Sequence, residues 1–318
     1  MRYTDSVLMV RPVCFEYNEQ TALTNLFQEK TEEKELSVNT MAQIEFDLYT
    51  DALCSAGIHV VTVGDTPNPP TPDSIFPNNW FSTHTEEELY GEMAENPRGT
   101  VVILYPMCTP NRRAERKKDV LTVLEAVPSF NITKVIDLTE YEQEHCYLEG
   151  TGSLVLDREN KIAYCCRSVR SNERVLKRWA EITGYRYILF NAVDNNNIPI
   201  YHTNVMMNLG EGYVVICMDA VHDKKDRELL TDMFGRTGRE IIPITFEQVC
   251  NYAGNMIVLK SMKGESVLIM SHSAKESLTK EQFAALERRY SNIVVPELEC
   301  IEKNGGGSAR CMLAEIFR

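Results

Sequence analysis

The chain repeats itself. From Ser153 the segment SLVLDRENKIAYCC places two apolar runs around a polar turn, the pattern of a β-hairpin. SNERVLKRWAEITG follows with helical periodicity and a closing glycine, and YRYILFNAV then reads as a strand. The same order returns in NVMMNLGEGYVVICM, DKKDRELLTDMFG and REIIPI, and again in NMIVLKSMKGESVLIM, TKEQFAALERRYS and NIVVPEL. An earlier copy runs through NWFSTH, GTVVILYP, RRAERKKDVLTVLEAV and FNITKVIDL, its hairpin holding an insertion over residues 85–99. Points near 152, 204, 255 and 310 are equivalent, at spacings of 52, 51 and 55 residues. The step from Asn79 to Gly152 is 73 residues, and the insertion accounts for the excess.

The last copy, ARCMLAEIF, stops after one strand. The N-terminal VLMVRPV is expected to supply its partner, and SVNTMAQIEFDLYTDALCSAG the helix of that split unit. Self-similarity at such a period signals a radial or solenoid array, and a split unit closes a ring. The expected fold is α/β: a ring of five strand-hairpin-helix units in one domain spanning residues 1–318. An ordinary α/β sheet with similar hairpins is the competing architecture. The repeated hairpin before each helix favours the ring.

Charge narrows the function. With 33 Lys and Arg against 46 Asp and Glu, the net charge is −13, which argues against nucleic acid or an anionic membrane as the main partner. The densest basic run, Arg112 to Lys118, contains Glu115 and reads as a solvated helical face. No stretch approaches the roughly 18 apolar residues of a membrane helix, and MRYTDSVLMVRP has no signal-peptide core, so the expectation is cytoplasmic. Ten cysteines form no C-x-x-C pair and mostly sit in apolar runs, which predicts buried free thiols and no structural zinc. No phosphate-loop or dinucleotide fingerprint occurs, and no cofactor or metal is expected.

In a ring, the junction before each hairpin faces the central channel. Those junctions hold Asn78-Asn79, Glu149-Gly150, His202-Thr203-Asn204, Gly254-Asn255 and the run Gly305 to Cys311. Cys311 follows glycines that let a ligand approach the backbone, as a thiol nucleophile requires. Arg310 or a protonated imidazole is expected to supply positive charge beside it. His202 is the candidate general acid and base, and Glu149 the carboxylate that orients it and raises its pKa.

These motifs resemble the pentein superfamily, whose members include arginine and agmatine deiminases, dimethylarginine hydrolases, succinylarginine dihydrolase and amidinotransferases. That resemblance implies a five-bladed α/β propeller over nearly the whole chain. PDSIFPNNW at 72–80 resembles the stretch P-D-S-V-F-x-E-D, which contacts amino acid and guanidinium, and so points to Asp73, Asn78 and Asn79. LEGTGSLVLD resembles the E-G-G-D stretch with the acidic partner. CRSVRSN is similar to G-L-S-x-R-T-N, which implies that Arg170 grips a substrate carboxylate. YHTNVMM resembles the stretch bearing the catalytic histidine, and NGGGSARCM that bearing the nucleophile.

Where the deiminases place two aspartates against a cationic guanidinium, this chain has Asn79 and Asn204. An amide both donates and accepts, whereas a carboxylate only accepts. The substitution tilts the site toward a neutral ureido substrate such as citrulline, or toward double hydrolysis through one. The expected activity is therefore Cys-dependent hydrolysis of a ureido or guanidino amino acid, citrulline to ornithine, ammonia and CO2 above all. Amidino transfer and deimination of arginine or dimethylarginine are the rival chemistries. A ribosome-binding pentein factor is the non-enzymatic rival. The expected partner is a small amino acid. The oligomeric state, a homo-oligomer included, is left open. Residues 64–77 and 85–99 are the candidate covers of the channel.

Overall fold

The computed structural model describes residues 3–31, 36–127 and 130–318. Among these, fifteen strands form five open sheets of three. Four sheets share one wiring. Strands β3 (Phe81–Thr85) and β4 (Thr100–Leu104) are antiparallel, and β5 (Ile132–Asp137) returns parallel to β4. The same pattern holds for β6 (Val155–Asp157), β7 (Ile162–Cys166) and β8 (Arg186–Phe190). It holds for β9 (Met207–Gly210), β10 (Tyr213–Ile216) and β11 (Glu240–Pro243), and for β12 (Ile257–Lys260), β13 (Ser266–Ile269) and β14 (Asn292–Val294).

The fifth sheet joins the chain ends. β1 (Ser6–Arg11) pairs antiparallel with β15 (Ala314–Glu315), Val7 opposite Glu315 and Leu8 opposite Ala314. β1 also pairs parallel with β2 (His59–Gly64). The N-terminal strand thus completes the unit that the last repeat leaves unfinished.

The wiring follows from side-chain chemistry. A middle strand is covered on both faces, so it reads as a continuous apolar run rather than an alternating one. In β7 all five residues of IAYCC are buried. Each parallel return is made through a helix whose apolar face lies on the sheet. The helix Glu173–Thr183 buries Val175, Leu176, Trp179 and Ala180, is capped by the Asn172 side chain and ends at Gly184 with φ 72°. The helix Val38–Ser55 buries Ala42, Phe46, Tyr49 and Leu53 together with Glu45. That buried carboxylate accepts the N–H groups of Cys300 (2.8 Å) and Ile301 (3.0 Å), the first turn of the helix Glu299–Gly305. Burial pushes its pKa up to about 7. Glu45 thereby anchors the helix that leads, through Gly306 at φ 62°, to Cys311.

Several expectations are corrected. The stretch 112–127 is not one helix: short helices cover Pro110–Arg113 and Lys118–Glu125. Nor is its basic run a solvated face, because Arg112 is buried in a network with Glu115. The insertion over 85–99 folds partly into the helix Glu86–Tyr90, at the end of the β3–β4 hairpin remote from Asn79. Of the ten free cysteines only Cys165, Cys166, Cys217 and Cys311 are buried, and Cys54 and Cys250 are exposed. Among the described residues no helix is long and apolar enough to cross a membrane.

Candidate active site

Each sheet is entered through a tight turn just before its first strand. The turns are Pro77–Asn79 before β3, Gly150–Ser153 before β6, Thr203–Met206 before β9, residues 251–254 before β12 and residues 309–312 before β15. Two or three residues before the strand that follows each turn stand Asn79, Gly152, Asn204, Asn255 and Cys311.

These residues meet. The Asn255 Nδ2 donates to Cys311 Sγ at 3.2 Å and to the Asn204 carbonyl at 3.0 Å. Its Oδ1 accepts the Arg310 N–H at 3.1 Å, so the amide is held with its nitrogen toward sulfur. Asn204 Nδ2 gives Cys311 Sγ a second donor at 3.5 Å. A Cβ added to Gly152 would overlap Asn79 Nδ2 and lie 2.7 Å from His202 Nδ1. Asn79, Gly152 and His202 therefore share one small space. Asn255 belongs to the site although it is absent from the motif-derived set; its place in the repeat was the signal.

His202 stands immediately before the turn that holds Asn204. Its Nε2 lies 2.8 Å from Glu149 Oε2. A carboxylate only accepts, so the neutral ring carries its proton on Nε2 and leaves Nδ1 as a base on the Gly152 side. Glu149 is fully buried. It also accepts the Cys108 N–H at 2.9 Å and Arg170 Nη1 at 3.4 Å. Burial raises the Glu149 pKa, but Arg170, the His202 bond and Arg112 more than offset it, leaving the group well below the ordinary carboxylate range. For His202, burial outweighs the raising effect of Glu149 and lowers the pKa to about 4. The expectation that Glu149 raises the histidine holds for that single contribution and is reversed in the balance.

Two expected positive partners are placed differently. Arg310 turns away from the sulfur, donating to the Leu313 carbonyl at 3.0 Å and pairing with Glu315 at 3.0 Å. Arg170 is committed within the protein: its Nε and Nη2 reach Thr24 Oγ1 at 3.1 and 2.6 Å, and Nη2 also reaches the Thr21 carbonyl at 3.0 Å. It lies 5.0 Å from the Tyr201 ring centre. A substrate carboxylate would have to replace those threonine contacts.

Asp73 Oδ2 accepts from Asn18 Nδ2 at 2.8 Å, while its buried Oδ1 has no partner. Asn78 is tied to the next turn, its Nδ2 donating to Thr151 Oγ1 at 3.3 Å. The segment that covers the site is neither predicted loop alone. Asn25 and Gln28 donate to the Gly306 and Gly305 carbonyls at 3.2 and 3.1 Å, beside the Thr21–Thr24 contacts to Arg170. Nothing in residues 18–31 has the spacing of a motif. Phe76, packed against Gly305 and Gly307, brings the 64–77 loop to the glycine run before Cys311.

A model of the eukaryotic N,N-dimethylarginine dimethylhydrolase family matches residues 11–318. No curated protein matches the chain. The crystal structure of ArgZ, an arginine dihydrolase from the ornithine–ammonia cycle in Cyanobacteria, superposes with a TM-score of 0.72 at 16% identity, over 98% of this chain and 40% of that one. The chain thus spans well under half the length of ArgZ. The separate N-terminal domain of ArgZ, bound to product, gives a TM-score of 0.70 at 16% identity, over 98% of this chain and 96% of that one. A dimethylarginine dimethylaminohydrolase in an adduct with S-methyl-L-thiocitrulline gives 0.64 at 15% identity, over 99% and 100%. At such identities these structures establish a common fold, and the family match adds kinship over nearly the whole length. The pentein resemblance read from the motifs therefore holds, and the chain belongs to the eukaryotic N,N-dimethylarginine dimethylhydrolase family.

Proposed function

We propose that the chain is one catalytic domain, its five sheets arranged as a propeller around the turns that carry Asn79, Gly152, Asn204, Asn255 and Cys311, and that it hydrolyses a C–N bond of a ureido or guanidino amino acid. Two observations support the reading: the buried Glu149–His202 pair, 2.8 Å long, and a cysteine held by two asparagine amides, one of them Asn204, two residues after His202. Asparagines at 79 and 204 leave the end-group pocket without the carboxylates that a guanidinium calls for. Citrulline is accordingly the favoured substrate.

In the proposed sequence His202 Nδ1 takes the Cys311 proton as the sulfur attacks the ureido carbon. The imidazolium, stabilised by Glu149, returns that proton to the departing nitrogen, and ammonia leaves. An S-carbamoyl intermediate remains, with the ornithine side chain on its nitrogen. His202 next deprotonates a water that attacks the same carbon and expels the sulfur. The resulting carbamate loses CO2 to give ornithine. Asp73, with its free Oδ1, pairs with the α-ammonium. Arg170 holds Glu149 ionised and remains the candidate for the α-carboxylate once Thr21 and Thr24 withdraw.

The deciding experiment is an ammonia-release screen over citrulline, arginine, their succinylated forms, agmatine and dimethylarginine. Ornithine and ammonia in equal amounts from citrulline support the reading. Release of methylamine or dimethylamine from methylated arginines alone replaces it with deimination.

A further inference from the structure

Asn79 is an amide, and which of its two ends faces the substrate decides what it can recognise. Arg112, which is 3% exposed, settles that choice: its Nη1 lies 2.8 Å from the Asn79 amide. A guanidinium carries only donors, so the atom it meets must be Oδ1. Arg112 cannot easily give way. Glu115 grips it through Nε at 2.8 Å and Nη2 at 2.9 Å, and Nη2 also donates to the Phe76 carbonyl at 3.2 Å. The Asn79 Nδ2 is thereby turned to the Gly152 side, where it is buried without a partner. Asn204 is fixed in the opposite sense, its Nδ2 on the sulfur and its Oδ1 buried without a partner.

The two asparagines thus offer one donor and one acceptor. We infer that Arg112 is a positioning residue that locks the polarity of Asn79, so that the site selects a ureido over a guanidino end group. The inference rests on the hydrolase reading above. A ureido oxygen accepts from Asn79 Nδ2 while the terminal NH2 donates to Asn204 Oδ1. A guanidinium presents N–H at both places and sets donor against donor at Asn79, leaving both groups unsatisfied in a buried site.

The test compares kcat/KM for citrulline and arginine in the unaltered enzyme, in Arg112→Lys, and in the double variant Arg112→Met with Glu115→Leu, which removes both partners of that ion pair together and leaves Asp73, its Oδ2 3.8 Å from Arg112 Nε in the unaltered enzyme, as a remaining buried carboxylate. The unaltered enzyme should favour citrulline. The double variant frees the Asn79 amide to turn, and the citrulline-to-arginine ratio should fall about tenfold or more, the usual penalty for one unmatched buried donor. Arg112→Lys keeps a donor and should hold the ratio within about threefold. A merely structural role lowers both substrates alike and leaves the ratio unchanged, which overturns the inference. Should the double variant not fold, Asn79→Asp serves, since a carboxylate accepts from both oxygens and should shift preference toward arginine; an unshifted ratio there also overturns it. An unaltered enzyme that favours arginine refutes the inference and leaves the hydrolase reading intact. Turnover of neither substrate brings down the reading itself.

Discussion

Gly152→Ala isolates the geometry on which the site depends. The φ of Gly152 is not in the left-handed region, so the backbone itself tolerates alanine, and the whole effect comes from the added methyl. That methyl would overlap Asn79 Nδ2 and stand 2.7 Å from His202 Nδ1 and 2.8 Å from its Cε1. Neither neighbour is a free side-chain end. Asn79 is held by Arg112 at 2.8 Å, and His202 by Glu149 at 2.8 Å. Relief requires a shift approaching an ångström in a group meant to carry protons. Overpacking of this kind costs about 1–3 kcal/mol of stability. A misplacement near 1 Å costs on the order of 100-fold in rate. The melting temperature should therefore fall by several degrees, at about 2–4 °C per kcal/mol for a larger domain. The kcat/KM for ammonia release should fall about 100-fold. Gly235→Ala is the control: it lies in the helix Lys224–Arg236 with open space where the Cβ would go, so it should stabilise by up to about 1 kcal/mol and leave turnover unchanged. Full activity in Gly152→Ala, with Gly235→Ala behaving as expected, refutes the reading in which Asn79 and His202 act in one small space beside Gly152.

Cys311→Ser should abolish turnover while the melting temperature stays within a few degrees, and mass spectrometry of the unaltered enzyme quenched during turnover with citrulline should find one adduct on Cys311 with the mass of citrulline less ammonia. Glu149→Gln keeps the shape of the side chain but removes the charge that stabilises the imidazolium, so kcat should fall about 100- to 10,000-fold. The base is the neutral imidazole, whose pKa burial lowers to about 4, so the acid limb of kcat/KM should lie near pH 4 and not near the ordinary 6.5. Between those values the unfolded chain binds the extra proton, so stability rises with pH there and is lost as pH falls through about 4. Thermal melts of His202→Gln should show a shallower slope over that window. Asp73→Asn should raise KM for citrulline about tenfold with little change in kcat, and a matching loss in both would assign it a structural role instead.

Much of this was open to reading along the chain. Strand and helix positions follow from the period of apolar residues, and five similar periods announce five similar sheets before any contact is known. The pairing of β1 with β15 was legible as well, because a unit with one strand leaves a partner to be found and the N-terminal VLMVRPV is an unclaimed apolar run. Cys311, His202 and Glu149 were recognisable by their common place at the junctions. Asn255 stood at the same place and differed only in lacking a motif.

Arg112 could not be found that way. Its neighbours Arg113, Arg116 and Lys117 give the run a basic, surface-like pattern, and which arginine turns inward depends on where Glu115, Asn79 and the Phe76 carbonyl lie in space. The commitments of Arg170 and Arg310 were equally hidden, since a charged side chain takes whichever partners the folded chain leaves nearest. The repeat, and with it the set of residues that face one another, is written in the order of amino acids because local periodicity needs no distant partner. Charge pairing, the protonation of His202 and the direction of each asparagine amide were decided only on folding, when groups far apart in the chain lost water and gained one another.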